Sequence, residues 1–335
     1  MDAPRPEGEW NAAPPPAPDR DPLSRHRVLQ WISVAMIATG IVLPIAVLAT
    51  NPGLLNQNQT PESVQRLIGP VLLLGAGGLL LVIGLVLNAI RALIVRAALP
   101  PERYRGPAIF VLLLMAVILG TIVALAAGRT ALALFDNGPL TVSGTLLLLT
   151  STQIGLLVVT GGLVIAPRAL AGVRLVGRSG ITRSLLIGLG VAIPAWIAAQ
   201  LLAALAALVL ERLGFSQDVG VLDTVLQRGD PTVILLAFLL VAPVAEEIFF
   251  RGVVYNAWER ERGARFAVFG SALLFAVIHT SLFSLVPIFA LGLILALVYR
   301  STRSLVATMA LHAGFNAISV VIALLVRQGI LALPT

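Results

Sequence analysis

The chain has 335 residues, of which 58% are hydrophobic and only 12% are charged. A soluble globular protein is normally about half apolar and about a quarter charged, so this composition excludes an ordinary soluble domain. The 23 basic and 16 acidic residues give a net charge of +7, and a cysteine count of 0 excludes disulfides, thiolate catalysis and cysteine-bound metals. The basic residues lie in short loops between apolar blocks and not on a soluble face, so we expect no nucleic-acid partner.

The first 27 residues differ from the rest of the chain. They are rich in proline and contain almost no aliphatic side chains, so they are too polar to be the apolar region of a signal peptide. Low hydrophobicity of this kind is typical of disordered segments. We therefore predict that residues 1–27 form a disordered cytoplasmic tail.

Apolar blocks follow, and most are about long enough to cross a hydrocarbon core of roughly 30 Å. They cover residues 31–49, 67–90, 108–127, 144–166, 185–210, 232–250, 267–281, 285–299 and 305–326. The seventh and eighth blocks are short and nearly contiguous, so the sequence leaves eight or nine membrane spans open. The predicted fold class is all-α, a polytopic transmembrane helical bundle embedded in the lipid bilayer.

The distribution of arginine gives an orientation and a division into domains. Arginines cluster before the first block and after the second, fourth, sixth and eighth blocks, as the positive-inside rule requires of cytoplasmic segments. The N-terminus is therefore predicted to be cytoplasmic in a multi-pass protein of the cell membrane. A basic loop at 168–183 separates a four-span bundle (28–184) from a second domain (185–326), and 327–335 is a short C-terminal tail. Nothing in the first four spans suggests chemistry.

The second domain holds the ionisable residues that fall inside the membrane. Glu246 and Glu247 are the two acidic residues within an apolar block, and Arg251 is predicted to mark the end of their helix. His279 and His312 lie within later blocks. A charged group in a bilayer costs several kcal/mol, so such groups are rare and usually functional. We predict that they form one polar site.

Helical spacing indicates how these side chains meet. Glu247 and Arg251 are four residues apart and share a helix face, which predicts an ion pair. Glu246 is rotated by about 100° from Glu247 and is free to face the bundle interior. Two later pairs have the same spacing: Phe275 with His279, and His312 with Asn316. Taken singly, each has a structural explanation, as a helix-end ion pair or as a hydrogen-bonded core histidine.

Together these residues form three motifs: EExxxR at 246–251, FxxxH at 275–279 and HxxxN at 312–316. The motifs, their order and their place on apolar helices resemble those of the CPBP family, which comprises type II CAAX prenyl endopeptidases and bacteriocin-processing, Abi-like proteins. The resemblance covers roughly residues 185–326. It implies an intramembrane CAAX-protease-like hydrolase that cleaves a membrane-associated protein or peptide.

The resemblance also implies roles for the motif residues. Glu246 with His279 activates the attacking water, while His312 and Asn316 stabilise the oxyanion. Glu247, Arg251 and Phe275 support the site. One Glu and two His are also a ligand set that Zn²⁺ accepts, so Glu246, His279 and His312 are a candidate metal site. A metal-free glutamate mechanism is the alternative, and the sequence leaves both open.

Two further matters stay open. A non-proteolytic membrane protein, such as a scaffold, an immunity factor or a proton-coupled transporter, could use the same polar cluster.

The depth of the site is also ambiguous. Arg251 as a helix end puts Glu246 about one and a half turns below the surface, whereas His279 lies about 18 Å along its own block. Either the seventh helix begins later than residue 267, or the cavity is deep.

Overall fold

The computed structural model of the protein describes residues 27–51, 61–127, 142–170, 172–178, 180–215, 225–226, 229–279 and 281–331. The tail predicted at 1–27 lies outside the described residues except for its last residue. The same holds for 332–335 of the predicted C-terminal tail.

The described residues form helices and no strands. The helices are α1 (Arg27–Thr50), α2 (Pro61–Arg96), α3 (Ile109–Ala127), α4 (Val142–Thr160, extended by a π-helical turn at Gly161–Ile165), α5 (Ile181–Arg212), α6 (Pro231–Arg262), α7 (Ala264–Val277), α8 (Leu282–Thr302) and α9 (Leu305–Arg327). Eight of them are long and apolar enough to cross a membrane. The predicted all-α polytopic bundle is confirmed, and the protein is a multi-pass membrane protein.

The exception among these helices is α7. It has 14 residues, which is about 21 Å at 1.5 Å per residue and shorter than the hydrocarbon core. It begins at Ala264, directly after Gly263, whose φ of 86° reverses the chain in a conformation that favours glycine. The alternative that this helix begins after residue 267 is therefore wrong. α7 descends from this turn, and α8 returns to the same end of the bundle.

α6 is a composite helix. Two π-helical segments, Ala237–Val241 and Ile248–Tyr255, flank the α-helical turn Ala242–Glu247 that carries both glutamates. Pro243 has no N–H to offer the preceding turn, which accounts for the first departure from α-helical bonding. The helix continues past Arg251 to Arg262, so the prediction that Arg251 marks its end is wrong.

This geometry removes the ambiguity in depth. Glu246 lies 16 residues before Arg262, and His279 lies 15 residues after Ala264. Both distances from the Gly263 turn are therefore about 22–24 Å at 1.5 Å per residue. The shallow position inferred for Glu246 rested on the wrong helix end.

The arginine-rich segments that connect the helices contact one another at one end of the bundle. They join Arg96 to Glu261 (3.6 Å), Arg103 to the Arg260 carbonyl oxygen (3.4 Å), Arg303 to Glu259 (2.6 Å) and the Leu305 N–H to the Arg174 carbonyl oxygen (3.4 Å). The hydrogen bonds to Glu259 raise the pKa of Arg303 above its ordinary value. At the other end, Arg327 Nη1 donates to the Gly229 carbonyl oxygen at 2.7 Å.

Close helix packing fixes α4 against α3. At Gly155 a Cβ atom would clash with the backbone oxygen of Ala116, and at Gly120 it would clash with the backbone of Thr152. Small residues at such crossings let membrane helices approach closely. The backbone of α4 is therefore held in place next to the residues that face α6.

We expect Gly155→Ala to lower the free energy of unfolding by about 1–3 kcal/mol, because the added methyl group forces α3 and α4 apart. The midpoint of thermal unfolding in detergent measures this loss of stability. Gly190→Ala on α5 is the matched control, since nothing lies within 4 Å of the added atom. Alanine is the better helix former, so the control is expected to be neutral or slightly stabilising. Equal midpoints for the two variants would contradict the packing argument.

Candidate active site

The centre of the site is a fully buried ion pair on α6. Arg251 Nη1 lies 2.9 Å from Glu247 Oε1, and both side chains are 0% exposed. The guanidinium also donates to the Gly292 carbonyl oxygen on α8 at 3.2 Å and lies 4.7 Å from the ring centroid of Phe275 on α7. The pair that the four-residue spacing predicts is present, and Arg251 joins three helices.

His312 on α9 extends this network. Its Nδ1 lies 3.0 Å from Glu247 Oε1, and the side chain is 5% exposed. A carboxylate paired with arginine only accepts hydrogen bonds, so Nδ1 carries the proton and donates it to Glu247. The other ring nitrogen, Nε2, faces Glu246 Oε2 at 3.9 Å. Glu247 therefore orients the imidazole so that Nε2 points toward the second glutamate.

Glu246 has two carboxylate oxygens in different surroundings. Oε1 accepts a hydrogen bond of 2.8 Å from Nε2 of Gln153 on α4. Oε2 is buried and has no hydrogen-bond partner among the described residues. Gln153 lies in the fourth span, where the sequence analysis found nothing that suggests chemistry, yet its side chain contacts Glu246. A search for ionisable groups does not find a neutral amide. The signal available in the sequence was a glutamine within an apolar helix.

His279 lies apart from this network. α7 ends at Val277, and His279 follows in a turn with its side chain exposed, so its predicted place inside a span is wrong. Its Nδ1–H donates to the Phe275 carbonyl oxygen at 2.7 Å. Within the described part of the chain, no hydrogen bond or ion pair joins His279 to either glutamate. The Phe275 ring contacts both imidazoles, with centroids 4.9 Å from His279 and 5.7 Å from His312.

Asn316 on α9 contacts the first π-helical segment of α6. Its Nδ2 donates to the Phe238 carbonyl oxygen at 2.8 Å. In an α-helix this oxygen would accept from the Ala242 N–H, but here that N–H donates to Ala237, five residues back. The next candidate donor is Pro243, which has no N–H. Asn316 thus satisfies a carbonyl that the π-helical geometry leaves without a partner, and its role toward an oxyanion stays a prediction.

Asn256 contacts backbone carbonyls of the second π-helical segment. Its Nδ2 lies 2.6 Å from the Arg251 carbonyl oxygen, 3.1 Å from that of Gly252 and 2.8 Å from the Tyr299 hydroxyl oxygen. Sequence reasoning missed this residue, because nothing in the pattern distinguishes it from a surface asparagine at a helix end. π-helical turns are frequent at functional sites, and here two of them bracket the glutamates.

The proposed zinc ligands can be compared with this geometry. Among the described residues, no group of three His, Asp or Glu side chains is arranged to hold a metal ion. Glu246 and His312 approach each other, whereas the hydrogen bond and the ring contact found for His279 among the described residues are both with Phe275. The set Glu246, His279 and His312 therefore does not fit a three-ligand zinc site in this structure, and no step below is assigned to a metal.

Comparison with known proteins identifies a family model that matches part of the chain. Residues 228–318 match the family model described as type II CAAX prenyl endopeptidase Rce1-like. This segment contains the EExxxR, FxxxH and HxxxN motifs, and it excludes α1 to α5. Searches of curated proteins and of solved structures found no match. Residues 228–318 are thus similar to an Rce1-like type II CAAX prenyl endopeptidase domain, and this similarity is consistent with a CPBP-family intramembrane peptidase.

Proposed function

We propose that the protein is an intramembrane endopeptidase that hydrolyses a peptide bond of a membrane-associated protein or peptide with water activated at Glu246. The observation that carries this proposal is the free oxygen of Glu246. Oε2 is buried, lacks a hydrogen-bond partner among the described residues and faces His312 Nε2 at 3.9 Å. Polar atoms at such a separation are commonly bridged by water.

In this proposal the water donates one hydrogen to Glu246 Oε2 and the other to His312 Nε2. Glu246 takes the first proton as the water oxygen attacks the carbonyl carbon of the substrate. That proton then passes to the amide nitrogen, which leaves as an amine when the C–N bond breaks. Glu247 holds His312 in the required tautomer, much as a carboxylate orients histidine in other hydrolases.

The oxyanion needs hydrogen-bond donors. Asn316 uses one Nδ2 hydrogen on the Phe238 carbonyl oxygen, and its amide group has a second hydrogen to offer. His279 has its Nδ1–H on the Phe275 carbonyl oxygen, so its Nε2 donates only when the ring is protonated. We therefore propose Asn316 as the main hydrogen-bond donor to the oxyanion. His279 lies at the exposed side of the site.

The proposal is tested with purified protein in liposomes and a library of peptides from a digested membrane proteome. Mass spectrometry reads the new peptide termini that appear with the wild type and with Glu246→Gln. New termini produced by the wild type and absent with Glu246→Gln would support an endopeptidase. Identical sets of termini from both proteins would contradict it and would favour a scaffold, an immunity factor or a transporter. A CAAX peptide with and without a farnesyl group shows whether a prenyl chain is required.

The metal-free form of the proposal makes its own prediction. We expect that prolonged dialysis against 1,10-phenanthroline and EDTA leaves the initial rate of cleavage unchanged, because the base and its partners are side chains. Metal content by mass spectrometry is measured on the same samples. A rate that falls on dialysis and returns on addition of Zn²⁺ alone would contradict this form and restore the metallopeptidase alternative.

We also propose that the arginine-rich end of the bundle faces the cytoplasm, following the positive-inside rule. Single cysteines test this, since the chain has a cysteine count of 0. Ser301 and Gln328 are exposed at opposite ends, beside Arg303 and Arg327 respectively. An impermeant thiol reagent is expected to label Ser301→Cys from the cytoplasmic face and Gln328→Cys from the outer face. The reverse pattern would contradict the orientation.

A further inference from the structure

We propose that Gln153 of α4 is a positioning residue of the active site, which would make the site a joint product of the N-terminal bundle and the family-matched domain. The inference rests on the proposed function, because it assigns Gln153 a task in the reaction of Glu246. Gln153 lies 75 residues before the start of the matched segment at 228. No motif of that segment includes it.

The two oxygens of Glu246 supply the argument. The Gln153 amide donates to Oε1 at 2.8 Å, so that oxygen and the plane of the carboxylate are fixed. Oε2 is thereby turned toward His312 Nε2 and left without a partner among the described residues. A carboxylate with both oxygens free could rotate about its terminal torsion, which is broad and roughly two-fold. Gln153 thus holds the carboxylate in the orientation in which one oxygen faces His312 Nε2.

The orientation of the amide is determined by its partner. A carboxylate offers only acceptor oxygens, so the NH₂ group of Gln153 must face Oε1, and the carbonyl oxygen points away. That oxygen, Gln153 Oε1, is also buried and has no partner within the described residues. It is a second buried acceptor on the residue that contacts Glu246, suited to a hydrogen from water.

The surroundings of α4 hold Gln153 in register with α6. Leu156, Val159 and Val164 of α4 are buried in one core cluster with Phe249 and Phe250 of α6. Two residues beyond Gln153, the close approach at Gly155 fixes α4 against α3. A side chain on a rigid helix supports a catalytic group more precisely than one on a loop. The N-terminal bundle therefore does more than anchor the domain.

The first test measures cleavage kinetics. Gln153→Met keeps the length of the side chain and removes the donor, so kcat is expected to fall about 10- to 100-fold, the effect of one hydrogen bond to a charged group. KM is expected to stay near the wild-type value, because substrate binding does not need this bond. Gln200→Met, an exposed glutamine on α5, is the matched control and is expected to retain wild-type kinetics. A wild-type kcat in Gln153→Met would overturn the inference.

The second test does not depend on activity. Gln153→Glu alone places two carboxyl groups in contact, and Glu246→Gln alone places two amides in contact. The double variant with both changes exchanges donor and acceptor and restores the hydrogen bond. Its unfolding midpoint in detergent is expected to exceed the value predicted from the two single variants. Additive midpoints would overturn the contact. If the wild type cleaves no peptide, both the proposed function and the role of Gln153 in the reaction are contradicted. The unfolding midpoints still test whether the hydrogen bond between Gln153 and Glu246 is present.

Discussion

Glu246→Gln is expected to reduce the rate of peptide cleavage by about 10²- to 10⁴-fold, the usual contribution of a general base. The amide has the same shape as the carboxyl group, and its oxygen still accepts the hydrogen bond from Gln153 Nε2. The variant therefore loses the proton acceptor and keeps the packing. Initial rates in liposomes measure the first effect, and the unfolding midpoint in detergent is expected to stay near the wild-type value.

The matched control for this variant is Glu211→Gln. Glu211 is exposed near the end of α5, outside the matched segment, so its loss is expected to leave the rate unchanged. A wild-type rate in Glu246→Gln would remove Glu246 as the base. A large loss of rate in both variants would point to a general effect of charge on the preparation and would equally contradict the assignment.

Glu247→Gln is expected to lower the free energy of unfolding by about 3–5 kcal/mol, the cost of breaking a buried ion pair by removing one partner. Arg251 is 0% exposed, so its charge would stay in the core without a carboxylate. The same Glu247 oxygen also accepts from His312 Nδ1, which adds to the loss. Denaturant titration in mixed micelles measures the change in the free energy of unfolding.

Glu259→Gln provides the matched control at a second ion pair. Glu259 Oε2 lies 2.6 Å from Arg303 Nη1, but the two side chains are 22% and 45% exposed. Exposed pairs contribute about 0–1 kcal/mol, because solvent screens them. In the double variant Glu247→Gln with Arg251→Met the buried charge is gone, so stability should partly return. Equal losses for Glu247→Gln and Glu259→Gln would contradict the central place given to the buried pair.

Hydropathy was sufficient for the outline of the bundle. The cost of a charge in lipid also singles out Glu246, Glu247, Arg251 and His312, which do contact one another. These predictions hold because each depends on one large free-energy cost, that of placing a charged side chain in lipid, which can be read from a single position. The ends of α6 and α7 depend on a turn at Gly263 between two polar stretches, and hydropathy averaged over a span does not resolve such a turn.

Other features depend on contacts between distant segments. The pairing of Gln153 with Glu246 spans 93 residues, and a neutral amide carries no penalty large enough to mark it in advance. The first π-helical segment of α6 depends on Pro243 and on the hydrogen bond from Asn316 to the Phe238 carbonyl oxygen, and only the packed structure reveals that contact. His279 was expected to be buried because its neighbours are apolar, yet it lies past the end of α7.

The most direct test of the central claim follows the oxygen of the attacking water. Cleavage of a peptide substrate by the wild type in water enriched in ¹⁸O is expected to place one ¹⁸O atom in each new C-terminal carboxyl group, read by mass spectrometry. Glu246→Gln in the same solvent is expected to yield no labelled termini above the level without protein. Labelled termini formed equally by both proteins, or new termini of the wild type that carry no ¹⁸O, would contradict hydrolysis by water activated at Glu246.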